Sequence, residues 1–162
     1  MKIIVVSDSH GNTTLLEKIK QKEFDADYFI HCGDYCLPDY YVDGFAKVCG
    51  NCDYSFETPK ELNLETPFGL IHVEHGDNPL FLSNKDNYIE SKKCFIFLYG
   101  HTHEKYHRKI NETYVFNPGS LTRPQDSNYG SYLRIYINEK DNNLTFDYKK
   151  IDLEKEEIIK NS

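Results

Sequence analysis

Short apolar runs alternate with polar loops along the first half of the chain. Lys2 to Val6 is apolar and β-branched after its first residue, which is typical of a strand covered on both faces. After a polar loop, apolar side chains fall on one face of a predicted helix, which Thr13 or Thr14 can cap and which should reach about Lys22. Further strands are predicted from Tyr28 to Cys32 and from Ala46 to Cys49. This alternation predicts an α/β fold.

The second half of the chain predicts a hairpin, one helix and a series of strands. Pro67-Phe68-Gly69 supplies the turn between strands from Glu61 to Thr66 and from Leu70 to Glu74. A helix is predicted from Leu80 to Lys92, ahead of the most apolar strand, Cys94 to Tyr99. The remaining predicted strands are Lys105 to Ile110, Tyr114 to Asn117, Ser131 to Asn138 and Leu144 to Ile151. The last third should therefore be mostly antiparallel sheet.

The length of the chain fits a single domain. It has 162 residues, of which 39% are apolar, and its 10 Phe and 13 Tyr can build a core without disulfides. We find no internal repeat and no linker composition. The expected organisation is one domain over residues 1–151 and a charged tail, residues 152–162, that is frayed or forms a short surface helix.

The net charge and the apolar runs limit the possible partners. The formal net charge of -7 opposes the counterion release on which general nucleic-acid binding depends. No apolar run approaches the roughly 20 residues of a membrane span, and Asp8 interrupts the apolar start before a signal peptide could be complete. We therefore expect a cytoplasmic protein without a membrane partner; a homo-oligomer remains open.

Five cysteines and no export signal favour reduced thiols or metal ligands over disulfides. Cys32, Cys36, Cys49 and Cys52 have spacings that a structural zinc site would accept, and Cys49 with Cys52 could form a redox pair. Strand alternation instead places Cys32 in the core, and Cys94 opens an apolar strand. Neither cysteine hypothesis explains the histidines and aspartates of the chain.

Seven side chains that can bind metals lie just beyond the ends of five predicted strands. Loops at the carboxyl ends of neighbouring strands converge on one crevice, so residues distant in sequence can meet there. Such a mixed set of nitrogen and oxygen ligands suits Mn, Fe or Zn. Seven ligands exceed the four of a tetrahedral site, whereas two ions could share Asp34. The seven are Asp8, His10, Asp34, Asn51, His75, His101 and His103.

These loops carry five ordered motifs that resemble those of calcineurin-like metallophosphoesterases. The motifs are Asp8-Ser9-His10-Gly11-Asn12, Gly33-Asp34, Gly50-Asn51-Cys52-Asp53, His75-Gly76 and Gly100-His101-Thr102-His103. The third motif and Asn117-Pro118-Gly119-Ser120 look especially like the small YfcE-type phosphodiesterases. The resemblance implies a four-layer α/β/β/α sandwich with a dinuclear site that is commonly assayed with manganese. By position it places Asp8, His10, Asp34 and His103 on one ion, and Asp34, Asn51, His75 and His101 on the other.

The expected activity is hydrolysis of a small-molecule phosphodiester by a hydroxide that bridges two divalent ions. Two such ions, two carboxylates and a hydroxide leave one net positive charge, which attracts an anionic ester. Manganese is the first candidate, with Fe, Zn, Ni and Mg open. Asn51 and His75 are expected to serve catalysis as well. Asn12 and Asp53 are candidates for orienting ligands or phosphate, and Arg123 for contacting a substrate phosphate.

Cys52 stands where many relatives in this family carry a histidine that is thought to protonate the leaving group. A thiol is a weak hydrogen-bond donor, so we expect good leaving groups to be preferred. The alternative function is that of a protein-binding scaffold, because the fold also resembles a retromer subunit. All seven ligand positions hold metal-capable side chains, which favours an enzyme. His31, His72 and His107 are not expected to take part, and the stretch from Tyr35 to Tyr41 could line a substrate pocket.

Overall fold

The computed structural model describes residues 1–160, which contain eleven strands, three α-helices and a 3-10 helix, Asp39–Val42. The helices are α1 (Thr13–Lys22), α2 (Pro79–Ser83) and α3 (Lys85–Ser91). The strands are β1 (Lys2–Val6), β2 (Tyr28–His31), β3 (Ala46–Lys47), β4 (Glu61–Thr66), β5 (Gly69–Glu74), β6 (Ile96–Leu98), β7 (Lys105–Ile110), β8 (Thr113–Pro118), β9 (Gly130–Ile137), β10 (Leu144–Asp152) and β11 (Glu157–Ile158).

The strands form two mixed sheets. The first has the order β11-β10-β9-β1-β2-β3, and the second has the order β4-β5-β6-β8-β7. β1, β2 and β3 are parallel to one another, as are β5, β6 and β8. The antiparallel pairs predicted for the last third are present, but β7 with β8 joins one sheet and β9 with β10 joins the other.

The alternation of side chains along β1 explains how the layers stack. Ile3 and Val5 share a buried core with Val73 of β5, so this core lies between the two sheets. Ile4 and Val6 point the other way and share a second core with Leu15 of α1 and its neighbours. A third core joins Phe81 of α2 and Ile89 of α3 to Phe97 of β6 and Val115 of β8. The layers are therefore helix, sheet, sheet and helix, which confirms the predicted four-layer α/β/β/α sandwich.

Two helix predictions need correction. Asn12, not Thr13 or Thr14, caps α1, because its Oδ1 accepts a hydrogen bond from the backbone N–H of Leu15. The helix predicted from Leu80 to Lys92 is two helices, because the Asn84 side chain caps α3 and thereby ends α2.

The C-terminal segment also differs from its prediction. Residues 157–158 form β11, which pairs with β10, and Ile158 packs on the core beside α1. This part of the expected tail is thus neither frayed nor helical, whereas residues 161–162 lie outside the described residues. In the part of the chain that the structure describes, no helix is long and apolar enough to cross a membrane.

Candidate metal centre

The loops after β1, β2, β3, β5 and β6 bring the seven predicted ligands together. His75 Nε2 lies 3.2 Å from Asp34 Oδ2 and 3.8 Å from Asp8 Oδ1. Asp8 Oδ1 is also 3.2 Å from His103 Nε2, and Asp34 Oδ2 is 3.9 Å from His10 Nε2. We call this group the strand-end cluster; its members are Asp8, His10, Asp34, Asn51, His75, His101 and His103.

Asn51 and His101 complete the cluster at its exposed side. Asn51 Oδ1 lies 2.9 Å from His75 Nε2 and 3.2 Å from His101 Nδ1. His101 Nδ1 is 3.3 Å from His75 Nε2. The structure therefore places all seven sequence-predicted ligands in one continuous group of contacts.

The backbone of these loops is in an unusual conformation. Asp8, His10, Asp34, His101 and His103 have positive φ angles between 44° and 72°. The left-handed region costs about 1–2 kcal/mol for a residue with a side chain, so it persists only where surrounding contacts enforce it. Its concentration at the ends of these strands is typical of a functional site.

Two glycines make room for the carboxylates. A Cβ on Gly50 would overlap Asp34, and a Cβ on Gly100 would lie 2.8 Å from Asp8 Oδ2. Any larger residue at either position would therefore displace a carboxylate. This explains physically why glycine precedes Asn51 and His101.

Backbone carbonyls orient two of the histidines. The Nδ1 atoms of His75 and His103 lie 2.8 Å from the carbonyl oxygens of Cys32 and Arg123, respectively, so each donates an N–H there. That hydrogen bond directs Nε2 of each ring at the carboxylates. Ligating histidines in metal sites are held in the same way.

Two buried polar atoms of the cluster lack a hydrogen-bond partner. Asp8 is fully buried, yet its Oδ1 accepts no well-aligned hydrogen bond, and Nδ1 of His10 has no partner either. Ligand atoms lie within 4.8 Å of one another in two groups that share Asp8: one adds His10 and His103, the other Asp34 and His75. Buried carboxylates and imidazoles with unused atoms fit divalent cations, which would satisfy them.

The electrostatics of the cluster are dominated by its two carboxylates. Burial of Asp34 is outweighed by hydrogen bonds from His75 and the Cys52 backbone, which lower its pKa to about 2. Burial of His75 is likewise outweighed by Asp34, Asp8 and the Cys32 carbonyl, which raise its pKa to about 9. Asp8 raises the pKa of His103. Protons on these rings compensate the negative charge, a role that a cation would take over.

Asp53 organises the loops beside the cluster. Its Oδ2 accepts hydrogen bonds from the backbone N–H groups of Asp34 and Gly50, both at 2.7 Å, and its Oδ1 accepts one from Cys36 at 2.8 Å. With both oxygens used in this way, the side chain holds the Asp34 loop against the Asn51 loop. This arrangement favours the orienting role over direct contact with phosphate.

Asn12 and Arg123, the predicted substrate contacts, differ in their surroundings. The Asn12 amide is used at both ends, as the cap of α1 and in a 3.0 Å hydrogen bond to Glu156 Oε1, and its role towards substrate stays a prediction. Arg123 is exposed, and its backbone carbonyl is the group that orients His103. Sequence reasoning missed this second function of Arg123.

The structure corrects the cysteine predictions. Cys36 and Cys52 form a disulfide, with their Cα atoms 5.5 Å apart, whereas Cys32, Cys49 and Cys94 are free and buried. The two loops approach closely because Cys36 is in the left-handed region (φ 56°), a turn that sequence spacing does not reveal. A four-cysteine zinc site and a Cys49–Cys52 pair are both incompatible with this arrangement.

Three further polar residues support the cluster and were not assigned roles from the sequence. Ser120 Oγ donates a hydrogen bond to the Asp8 carbonyl, and Asn117 Nδ2 donates one to the Gly100 carbonyl. His31 accepts a hydrogen bond from the Gly33 N–H at Nδ1, so its Nε2–H faces Ser9 Oγ, and burial lowers its pKa to about 3. The motif at residues 117–120 was the only sequence signal for any of these roles.

The remaining candidates lie away from the cluster. His72 is buried against Asn63 and Glu74, and His107 packs on Phe146. In the stretch from Tyr35 to Tyr41, the first tyrosine is buried, and Tyr40 lines a groove to which the strand-end cluster contributes no residue. A separate cavity of about 310 Å³, lined by residues that include Asn51, Lys60 and Asp77, borders the cluster.

Comparison with known proteins supports this description. The family model "Calcineurin-like phosphoesterase superfamily domain" matches residues 1–140. The probable metallophosphoesterase YsnB of Bacillus subtilis is 31% identical over 138 residues, which cover 82% of each chain. The phosphodiesterase MJ0936 of Methanocaldococcus jannaschii is 25% identical over 139 residues, covering 74% of this chain and 83% of that protein.

Solved structures share the fold. A predicted phosphoesterase from Streptococcus pneumoniae TIGR4 has a TM-score of 0.81 at 27% identity, covering 99% of this chain and 93% of that chain. A Vps29 double mutant from Entamoeba histolytica has a TM-score of 0.75 at 17% identity, covering 94% and 93%, and this likeness shows the fold alone. The family match over most of the chain and the relative at 31% identity show that this protein belongs to the calcineurin-like phosphoesterase superfamily.

Proposed function

We propose that this phosphoesterase hydrolyses small-molecule phosphodiesters with two divalent metal ions held by the strand-end cluster. The observation that carries the proposal is the convergence of two buried carboxylates and four imidazoles, two of which are already oriented by backbone carbonyls. Such a set is costly to bury without a cation to bind.

The proposed division of ligands gives each ion four protein groups. Asp8, His10, Asp34 and His103 would hold one ion, and Asp34, Asn51, His75 and His101 would hold the other. Asp34 Oδ2 faces both His10 and His75, as a ligand shared by two ions must, and Asp8 Oδ1 likewise faces both His103 and His75. The mixed nitrogen and oxygen ligand set suits Mn, Fe or Zn; manganese is the first candidate, and Ni and Mg are further candidates.

The chemistry of a bound ion pair fits ester hydrolysis. Two divalent ions would supply an activated water nucleophile, in a bridging position as hydroxide, and positive charge for the phosphoryl oxygens. The chain itself would orient the ligands through Asp53, Cys32 and Ser120, and Arg123 would bind substrate phosphate from its exposed position.

The substrate class is proposed from the cavity and the lack of a proton donor at Cys52. The cavity of about 310 Å³ beside Asn51 is of small-molecule size. As half of a disulfide, Cys52 has no thiol proton to give to a leaving group, and as a free thiol it is a weak donor. We therefore expect diesters with good leaving groups, in line with the phosphodiesterase name of the archaeal relative.

A non-catalytic scaffold is the alternative function. The likeness to Vps29 is one of fold, and nothing in it favours protein binding over catalysis for this chain. The complete set of metal-capable side chains in the strand-end cluster favours the enzyme. The net charge of -7 further supports a small-molecule partner over general nucleic-acid binding, and we retain a cytoplasmic location as part of the proposal.

The proposal is tested with a chromogenic diester and its monoester. Protein stripped with a chelator and reloaded with manganese should bind two ions, counted by elemental analysis, and should hydrolyse bis-p-nitrophenyl phosphate faster than p-nitrophenyl phosphate. Preference for the monoester would refute the diester assignment. Failure to hydrolyse either ester would favour the scaffold.

A pair of histidine variants supplies the control. His75→Ala should lower the metal content to one ion or fewer and reduce the rate at least about 100-fold, because it removes a ligand. His107→Ala removes an exposed histidine from β7 and should change neither quantity. Two bound ions in His75→Ala would disprove the assignment of that ligand.

A further inference from the structure

The Cys36–Cys52 disulfide joins the two loops that carry Asp34 and Asn51. Cys36 follows Asp34 by two residues, and Cys52 directly follows Asn51. The Cα separation of 5.5 Å is ordinary for a disulfide. Both cysteines are partly exposed, whereas the three free cysteines are buried. A dissolved reductant or oxidant can therefore reach this pair and not the others.

The cross-link acts on the same two loops as a set of hydrogen bonds. Asp53 accepts hydrogen bonds from both loops, including one from the backbone N–H of Cys36. The backbone N–H of Cys52 donates a 2.9 Å hydrogen bond to Asp34 Oδ1. A change in the separation of the two cysteines is thus transmitted directly to the carboxylate of Asp34.

The sulfur atoms also lie beside the proposed metal centre. Both Sγ atoms and a ring nitrogen of His10 lie within 4.8 Å of one another. Within the described residues, the disulfide therefore borders the cluster at His10 as well as at Asp34 and Asn51. Three members of the cluster would be affected by opening it.

We propose that Cys36 and Cys52 are a reversible redox modification site that sets how tightly the strand-end cluster binds metal. In the disulfide form, the loops carrying Asp34 and Asn51 have a fixed separation, and metal binds tightly. In the dithiol form, only hydrogen bonds join the loops, those to Asp53 and the one from Cys52 to Asp34, and metal binds more weakly. The effect on metal rests on the proposed function, whereas the existence of a reversible cross-link does not.

The chemistry is balanced in both directions. A small dithiol reduces the disulfide to two thiols and is itself oxidised to a cyclic disulfide. A peroxide oxidises the two thiols again: one S–S bond forms, the O–O bond breaks, and two water molecules leave. A reducing compartment would hold the pair as thiols, so peroxide is the signal that would tighten the site.

The first experiment counts thiols in the wild-type protein. After peroxide treatment and removal of excess peroxide, alkylation in denaturant should label three of the five cysteines, and mass spectrometry should show tryptic peptides 23–47 and 48–60 joined, with their alkyl groups on Cys32 and Cys49. Dithiol treatment should raise the count to five. Labelling of all five after peroxide treatment would overturn the cross-link.

The second experiment measures manganese affinity by calorimetry in the two forms, after the dithiol or peroxide has been removed by desalting. The dithiol form should bind manganese about tenfold more weakly, a fraction of what closing a loop of this length contributes. Equal affinity in both forms would overturn the redox control. Absence of manganese binding in both forms would instead refute the proposed function and, with it, the metal part of this proposal.

Variants separate the pair from the other cysteines. The double variant Cys36→Ser/Cys52→Ser should bind manganese with the weaker affinity after either treatment. The control Cys94→Ala, at a buried cysteine, should still bind manganese more weakly after dithiol than after peroxide. Hydrogen exchange of wild-type residues 33–37 and 49–53 gives a readout that needs no variant. Exchange in these segments should be faster in the dithiol form. Identical exchange in both forms would contradict the proposal that the disulfide fixes the separation of the two loops.

Discussion

The carboxylate of Asp53 holds together the two loops that carry Asp34 and Asn51. It accepts three backbone hydrogen bonds, from Asp34, Cys36 and Gly50. Asp53→Asn keeps the shape of the side chain but replaces one acceptor oxygen with an NH₂ group. One of the three backbone N–H groups then faces the NH₂ group, which is also a donor. The other two N–H groups donate to a neutral oxygen instead of a charged one.

The magnitude follows from these three bonds. A hydrogen bond to a charged group contributes about 1.5–3 kcal/mol and a neutral one about 0.5–1.5 kcal/mol, while a buried donor left without a partner costs about 1–3 kcal/mol. Because Asp53 is half-buried, solvent relieves part of the loss. We expect the free energy of unfolding to fall by about 2–4 kcal/mol, which lowers Tm by roughly 5–15 °C in a domain of this size.

The assay is urea unfolding followed by circular dichroism, on metal-free protein in the disulfide form. Asp77→Asn is the matched control, because it makes the same chemical change at an exposed carboxylate on a neighbouring loop. The control should stay within about 0.5 kcal/mol of wild type. An Asp53→Asn variant as stable as the control would show that the three hydrogen bonds do not hold the loops together.

Three further predictions address the glycine, the buried histidine and the metal. Gly100→Ala places a Cβ against Asp8 and Ser7 and should lower manganese affinity at least tenfold in calorimetry, and an unchanged affinity would contradict this. His31, with its pKa held near 3 by burial, is neutral when folded and charges on unfolding, so it stabilises the fold above about pH 6.5 and loses this effect as the pH falls towards 3. His31→Gln should therefore reduce the slope of unfolding free energy against pH by up to about 1 kcal/mol per unit, and an unchanged slope would contradict this. Manganese at a hundredfold excess over its Kd should raise the free energy of unfolding by about 3 kcal/mol per bound ion, which is about 5 kcal/mol for two ions, in calorimetric melts, and His75→Ala should weaken that gain.

The convergence of the seven side chains of the strand-end cluster could be predicted from the sequence because one rule places them. Asp8, Asp34 and His75 each follow a short apolar run, and the carboxyl ends of parallel strands meet at one edge. The alternation along the strand also predicted that His72 would take no part, and it is buried against Asn63 and Glu74. Strand boundaries were correct to within two residues for most strands, because apolar runs and turns mark them.

Other features depend on geometry that no local pattern records. The Cys36–Cys52 disulfide requires a left-handed turn at Cys36, and cysteine spacing alone pointed to other pairings. Ser120 reaches Asp8 from a loop 112 residues away, so its role exists only in the folded chain. The break between α2 and α3 is different, because Asn84 is a good cap and its signal was present in the sequence.

The polar residues around the strand-end loops explain how these loops keep their left-handed backbone conformation. A left-handed aspartate or histidine is unfavourable by itself, and the cluster contains five. Each such loop is fixed by hydrogen bonds from outside it: Asp53 holds the Asp34 loop, Ser120 holds the Asp8 loop, and Asn117 holds the loop after β6. These bonds involve only protein atoms, so they are present without an ion. In the proposed metal centre the ligands are therefore already converged, and the energy of binding would not be consumed in ordering the loops.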